Sequence, residues 1–387
     1  MPPRSREAIG LLALAGLNAG ISHRCVEPML PKLADEFSAS VSATSIVITT
    51  YAFAYAASLL LQGPLGDRYG KLRVVTLGMA LAGVSSLACA LSWDIASLAA
   101  MRLATGMFAS ASVALGLAYI GDVVPLAERQ ATIARFVAGS MFGQMVGPLV
   151  GGVLTDSVGW RGSFFLLGTV FVCVALILFV RTASGWPATF AGRLRPLAVY
   201  RKLWSSVAMR WLLAVGITET FFFFGAFAFL GAFLKARFDV SFTTIGLVLA
   251  GFGLGGLLFS ATARMFIRAF GERGMVLAGG GTGALLMIAI VLVPQLAFTI
   301  PCTIGLGMAF YLIHNTIQAK ATEVAPDARG SAVALYATGW ALGQALGVGA
   351  MGLAVAAMGY APAIMACGLG FGLLGVWLRP NLHRLKP

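Results

Sequence analysis

Residues 139–152 read GSMFGQMVGPLVGG. Gly139, Gly143, Gly147 and Gly151 stand four apart, which at 3.6 residues per turn draws a nearly straight stripe without side chains along one helix. A second helix can reach backbone contact along such a stripe. Pro148 removes one intrahelical hydrogen bond and permits a bend, and Gly152 extends the bare surface. Two hundred residues later the pattern returns. Residues 129–168 and 329–368 align without a gap: Arg129 with Arg329, Gly139 with Gly339, Gly143-Gln144 with Gly343-Gln344, and Gly147, Gly152, Gly159 and Gly168 with Gly347, Gly352, Gly359 and Gly368. With 48 glycines in the chain, single matches carry little weight. An ungapped run that includes an Arg and a Gln carries more, and it divides the chain into two halves built on one plan, as parallel repeats are.

The medium for those halves follows from composition. The 387 residues are 59% hydrophobic and 11% charged, against about 25% charged for a soluble domain. A spanning helix needs ~20 apolar residues. Twelve such runs are present, at 8–30, 43–62, 74–92, 95–118, 131–155, 161–181, 209–234, 242–263, 274–294, 296–319, 331–357 and 359–379. The fold class expected is an all-α membrane protein with twelve transmembrane helices in two pseudo-symmetric six-helix bundles. Residues 1–181 form the first bundle, 182–208 a linker rich in Pro and Arg, and 209–387 the second. The first run is preceded by Arg4 and Arg6, as in a signal peptide, but it continues into charged residues and Pro28 instead of a small-residue cleavage site. It reads as the first spanning helix.

The net charge of +13 would suggest nucleic acid in a soluble chain. No soluble basic patch with aromatics is present to support that. The charge is instead distributed by side. With the N-terminus inside, only Lys32, Arg161, Lys235 and Arg237 fall in external loops, Arg24 and Arg102 lie in the membrane, and the other 21 of 27 Lys and Arg are cytoplasmic. The positive-inside rule then places both termini in the cytoplasm and the protein in the cell's inner (plasma) membrane. The five cysteines show neither metal-ligand spacing nor a disulfide framework.

Residues 63–73, GPLGDRYGKLR, lie between the second and third runs. Gly63 and Gly70 suit a tight turn and close helix approach. Asp67 and Arg68 can cross-link helix ends in one conformation and release them in another, with Asp122 and Arg129 as partners. A basic loop that only sets topology is the plainer reading. The stretch resembles the signature loop of the major facilitator superfamily at Gly63, Leu65, Asp67, Arg68, Gly70 and Lys71, departing at Leu72. The second half has a degenerate copy, RMFIRAFGERG at 264–274. Residues 139–152 match in full the Gly-x-x-x-Gly-Pro-x-x-Gly-Gly pattern of that family's antiporters. Ordinary small-residue packing is the alternative for its glycines. The resemblance covers nearly the whole chain. At 24–37 and 314–330 it extends to the drug:H+ antiporter and predicted arabinose-efflux branch, whose sugar label does not extend to this chain's substrate.

Charged residues inside apolar runs cost ~2.5–3.5 kcal/mol on insertion scales and call for a use. Arg102, in RLATG, fits an Arg-x-x-x-Gly pattern of the same family. It reads as a cavity residue or as an Arg reaching out to the external surface. Glu219, in WLLAVGITETFFFF at 211–224, falls ~15 Å into its helix, at the bilayer midplane. It reads as the principal proton-coupling site, with a structural, protonated Glu as the alternative. Phe222 and Phe223 beside it, and Gln344 across the repeat, are expected to line the substrate cavity. His314 is expected to gate or pack near the cytoplasmic end. In SHRCVEP (22–28), His23, Arg24 and Glu27 can cluster at i,i+3 and i,i+4 spacing. Counting from Ile9 puts them ~27 Å along the helix, at the external mouth, as an external gate or as a solvated helix end.

No nucleotide-binding motif is present, so an ion gradient is the expected energy source and no cofactor is needed. The function expected is export of small amphiphilic, drug-like molecules by proton antiport through alternating access, with membrane lipid as surroundings, no nucleic acid, and a monomer as the working unit. Export of a native metabolite, such as a sugar or amino-acid derivative, is the alternative within that class. A non-transporting membrane sensor is the alternative outside it, although a sensor is expected to carry an extra soluble domain. No nucleophile with its base and no metal cluster points to an enzyme.

Overall fold

The computed structural model describes residues 3–186, 196–325 and 329–385. Residues 187–195 of the basic linker, including Pro187, Arg193 and Arg195, lie outside this set, as does the side chain of Arg329. Among the described residues the secondary structure is helical throughout. Ten helices are long and apolar enough to cross a membrane. Two of them, Leu126–Thr182 and Phe242–Leu292, run 57 and 51 residues. Unbroken, they would extend ~85 and ~76 Å, more than twice a ~30 Å hydrocarbon core. Each is broken at one residue: Gly159, with φ 74° and ψ 168°, and Gly271, with φ 59° and ψ 176°. Each therefore has the length and the break for two crossings, which is consistent with twelve spans among the described residues.

We label them α1 (Pro3–Arg24), α2 (Ile46–Tyr69), α3 (Lys71–Ala90), α4 (Ile95–Val123), α5 (126–158), α6 (160–182), α7 (Val207–Phe238), α8 (242–270), α9 (272–292), α10 (Thr299–Glu323), α11 (Arg329–Met358) and α12 (Tyr360–Asn381). The face bearing both described chain ends is called the terminal face, and the opposite one the far face. Gly359, which opens α12, has φ 81° and ψ 174°, nearly the values of its repeat partner Gly159. That region of φ/ψ space is essentially closed to side-chain-bearing residues, so the repeat read from sequence is also a repeat of backbone geometry.

Packing repeats as well. A Cβ on Gly143 would fall on the backbone of Leu17, and one on Gly151 on that of Cys25, so α5 lies in backbone contact with α1. In the second half Gly343 and Gly347 of α11 meet Ile217 and Phe221 of α7 in the same way. Between α2 and α4 the contact is Gly106 against Tyr51, and between α8 and α10 it is Gly307 against Phe252. The register between halves is thus 200 residues for α1 and α5 but 201 for α2 and α4. Large apolar residues such as Leu61, Val84, Val180, Leu353 and Leu373 face outward, as a lipid-facing surface requires. The polar ends are capped conventionally: Asp94 accepts from the Ser97 N–H at 2.7 Å to start α4, and this bonding holds its carboxyl below the ordinary range.

One expectation for the loop at 63–73 is corrected. Gly63 is not in a turn. It sits inside α2, which continues through Pro64 to Tyr69, and a Cβ there would meet nothing within 4 Å. The break falls at Gly70 alone, with φ 90°.

Candidate transport site between the two bundles

On the far face the bundles are closed against each other by contacts that include two related by the repeat. Gly152 of α5 packs on the backbone of Phe242 at the start of α8, and Gly352 of α11 packs on Ser42, whose hydroxyl donates to the Gly352 carbonyl. Gly246 of α8 lies on the Pro148 carbonyl. Gly152 and Pro148 therefore belong to the bundle interface, while Gly139, Gly143, Gly147 and Gly151 face α1. Asp156, which the sequence reading did not single out, strengthens the seal. Its carboxylate accepts from the Phe242 N–H at 3.3 Å, the Thr243 N–H at 2.6 Å and the Thr243 hydroxyl at 2.7 Å. A carboxylate there meets the unpaired N–H groups and positive dipole end of α8.

Below this seal a cavity of about 560 Å³ runs between the bundles toward the terminal face. Arg24 and Phe252 line its inner part, Phe224, Phe310, Tyr311 and Trp340 its second-bundle wall, and Gln144, Met141 and Met145 its first-bundle wall, with Ser260, Ala263, Asn315 and Gln318 nearer the terminal ends.

Behind the second-bundle wall lies a polar cluster. Glu219 of α7 is fully buried, and its Oε2 lies 3.2 Å from Nδ1 of His314 on α10. The Tyr336 hydroxyl of α11 is 3.4 Å from the same nitrogen. His314 stacks on Phe310 at 5.0 Å and lines the cavity, so it stands between Glu219 and the open space. Glu219 Oε1 has no hydrogen-bond partner among the described residues. The placement of His314 differs from the gating or packing position expected. The residue lies 15 positions into α10 from its far end, ~22 Å of helix, which brings it level with Glu219.

The SHRCVEP cluster also lies elsewhere than expected. Its three charged or titratable members are 5%, 2% and 1% exposed, which removes the solvated helix end. Nor do they lie at the external mouth. Pro28 turns the chain through a short 3-10 segment (Glu27–Met29) into a further helix (Leu30–Glu36), and the apolar span extends over Arg6–Glu36. Counting from Ile9 missed that extension. Arg24 Nε is 2.7 Å from Glu27 Oε1, and its guanidinium carbon lies 4.7 Å from the Phe224 ring centroid, 5.0 Å from Phe227 and 5.7 Å from Phe252. Phe252 is ten residues from the start of α8, ~15 Å of helix, so Arg24 sits near mid-membrane. His23 stacks on Tyr55 at 5.7 Å and Tyr51 at 5.1 Å within the first bundle.

Arg102 is fully buried, which removes the outward-reaching alternative. It is also not in the cavity. It lies inside the first bundle, 4.0 Å over the Tyr51 ring, with Nη1 3.3 Å from the Ser22 hydroxyl. Phe223 is buried within the second bundle against Phe310 and Phe371. Phe222 points to the outer face, beside Trp211 and Trp377. Of the four phenylalanines Phe224 is the one that reaches the cavity, because Glu219 and Phe223, four apart, share the inward face of α7. Gln344 is buried without a partner for its Oε1, while its repeat mate Gln144 lines the cavity.

At the terminal face Lys71 bridges two acids, Asp122 and, at 3.8 Å, Asp67. Arg129 donates to the Val124 carbonyl at 3.2 Å, and Arg68 lies over Tyr69. The expected partners are thus reassigned: Lys71, not Arg68, links α3 to the end of α4. The second half makes an equivalent link with its charges exchanged, Lys320 near the end of α10 holding Glu272 at the start of α9 at 2.8 Å.

Three comparisons agree with this architecture. The family model described as "Major Facilitator Superfamily" matches residues 12–348 and 228–387. The chain is 26% identical to the uncharacterized MFS-type transporter YceJ of Bacillus subtilis over 84% of both chains. It is 35% identical to the uncharacterized MFS-type transporter EfpA of Mycobacterium tuberculosis over 47% of this chain, a match spanning only 34% of that protein. The riboflavin transporter RibZ of Clostridioides difficile is 29% identical over 39% of this chain and 33% of its own length. In fold, the chain resembles a bacterial homolog of the human lysosomal transporter Spinster, with a TM-score of 0.75 and 18% identity over 100% of this chain and 97% of that one. This multi-pass membrane chain belongs to the Major Facilitator Superfamily.

Proposed function

We propose that the protein exports small amphiphilic molecules by proton antiport, through alternating access between halves at 1–181 and 209–387. The observation that carries this reading is the Glu219–His314–Tyr336 cluster set directly behind the cavity wall. Two proton arrangements fit its geometry. With Glu219 ionised, His314 Nδ1–H donates to the carboxylate. With Glu219 protonated, Nδ1 is bare, and its single lone pair accepts either from the carboxylic acid or from the Tyr336 hydroxyl. Because His314 also lines the cavity, a substrate arriving there can favour one arrangement over the other, and differential affinity for two states is what coupling requires. The remaining machinery fits a rocking mechanism: a far-face seal of close glycine contacts and polar bonds, a cavity leading to the terminal face, and glycine contacts that hold each bundle together. The basic bias of the terminal side supports a cytoplasmic orientation for that face, in the plasma membrane. The working unit is the monomer, and the proton gradient is the energy source.

The riboflavin transporter among the relatives favours a native metabolite with an aromatic ring as the second reading. Proton release from purified protein on ligand addition tests the first, using aromatic and sugar ligands in weakly buffered detergent solution. The expected result is release with at least one aromatic ligand and none with sugars. Absence of ligand-linked proton release across the panel overturns proton antiport.

A further inference from the structure

We infer that the cavity selects planar aromatic molecules bearing a single acidic group, a carboxylate or sulfonate, and that Arg24 receives that group. The inference rests on the transport reading above and specifies its substrate by charge. Among the described residues lining the cavity there is no Asp and no Glu. Glu219 is fully buried behind His314, and Glu27, 1% exposed, does not line the space. The fixed charge on the lining is the guanidinium of Arg24, with a second positive charge whenever His314 is protonated. An organic cation entering this space would meet the Arg24 guanidinium with no carboxylate on the lining itself to pair with, and like-charge juxtaposition of that kind is costly. An anion would meet the reverse.

Arg24 is built to receive it. The residue is 2% exposed, and its Nε faces Glu27. That Nε is buried and has no hydrogen-bond partner among the described residues despite lying beside Glu27, and the side chain lines the cavity. A guanidinium carries five N–H donors in a planar fork, and leaving them unmet in a buried place is costly. A carboxylate or sulfonate answers that fork with two parallel bonds. Phe224, Phe252 and Phe227 hold the guanidinium plane from the second bundle, so the acceptor spans the two halves that must move. The rings of Phe310, Tyr311 and Trp340 then provide apolar walls for the body of the ligand. Glu27 sits behind Arg24, where it offsets part of the charge without competing for the cavity side.

Calorimetric binding of three naphthalenes to the purified full-length protein tests this: 2-naphthoate, 2-naphthalenemethanol and 2-naphthylmethylammonium share a ring and differ in charge. The naphthoate is expected to bind at least about tenfold tighter than the ammonium, ~1.4 kcal/mol. Arg24→Lys should keep that order. Arg24→Gln should reduce the naphthoate to the alcohol's affinity, and Glu27→Gln, which leaves the guanidinium unneutralised, should tighten the naphthoate and weaken the ammonium. The inference is overturned if the naphthoate fails to bind, if the ammonium binds equally or better, or if Glu27→Gln leaves both affinities unchanged; this last arm holds even where Arg24→Gln fails to fold. Flux in proteoliposomes separates the two claims. Naphthoate bound in the expected order but never moved would sink the transport reading and leave the site. An ammonium that is preferred and exchanged for protons would sink the site and leave transport.

Discussion

Ala19 and Glu219 occupy equivalent places in the two halves, two residues from the matching glycine contacts of α1 with α5 and α7 with α11. Phe136 and Tyr336 are likewise equivalent, and in the 201-residue register Val113 corresponds to His314. The first half therefore fills with methyls and a ring the space where the second half holds an acid, an imidazole and a phenol. The reverse holds one turn on, where Arg24 in the first half faces Phe224, its own repeat partner, across the bundle interface. The backbone has been kept and the chemistry divided: the Glu219–His314–Tyr336 cluster lies in one bundle and Arg24 in the other. A two-state machine gains from such a division, because rocking the bundles changes the distance between the groups while leaving each bundle's packing intact.

The shared backbone is the part of this comparison with the largest expected effect. Gly143→Leu and Gly343→Leu should each disrupt helix contact by about 3 kcal/mol or more, the upper range for overpacking, with equal loss of folded protein by thermal unfolding in detergent. A loss confined to one half would break the equivalence. The divided chemistry is probed more gently. Tyr336→Phe makes the second half resemble the first at one atom. Loss of one neutral hydrogen bond near 1 kcal/mol should lower proton-coupled flux about fivefold with folding unchanged; unaltered flux would remove the phenol from the cluster. Asp156→Ala removes the acceptor at the start of α8, and the loss of a cap of about 1 kcal/mol should shift the balance about fivefold toward a state open at the far face. Labelling of a cysteine introduced at Thr243 would report it, and unchanged labelling would show that the glycine contacts alone make the seal. Smallest is Gly63→Ala. With nothing within 4 Å of a Cβ there, transport should be unaffected and stability should rise by about 0.5–1 kcal/mol, the ordinary gain from removing a mid-helix glycine.

How much of this was legible in the sequence depended on the kind of signal. Apolar run length carried the crossings, because the thickness of the hydrocarbon core sets it. The glycine repeat carried the packing of α5 on α1, because a Cβ has no room there. Glu219 stood out because a carboxylate amid phenylalanines is costly without a purpose. His314 and Tyr336 were harder to read. Their significance is that each replaces an apolar residue of the other half, and the one-residue register change between α1 and α2 hides the match of His314 with Val113. The depth of Arg24 is not legible from a count along one straight helix, because the chain turns through Glu27–Met29 and continues as helix. Four consecutive rings give no phase, so the sequence alone does not separate Phe224 from Phe222 and Phe223. The phase comes from Glu219, whose inward face Phe223 shares, leaving Phe224 toward the cavity. Asp156 carries no signal in its own neighbourhood, since its partners Phe242 and Thr243 are 86 and 87 residues away.

The central claim is that Glu219, held by His314, carries the exchanged proton. Flux in proteoliposomes with and without an imposed pH gradient measures it for the wild type and Glu219→Gln. The wild type should accumulate substrate against its gradient when protons flow the other way. Glu219→Gln should lose that accumulation while keeping substrate-for-substrate exchange, since the cavity is intact and the coupling group is gone. Accumulation by Glu219→Gln at the wild-type level would contradict the claim.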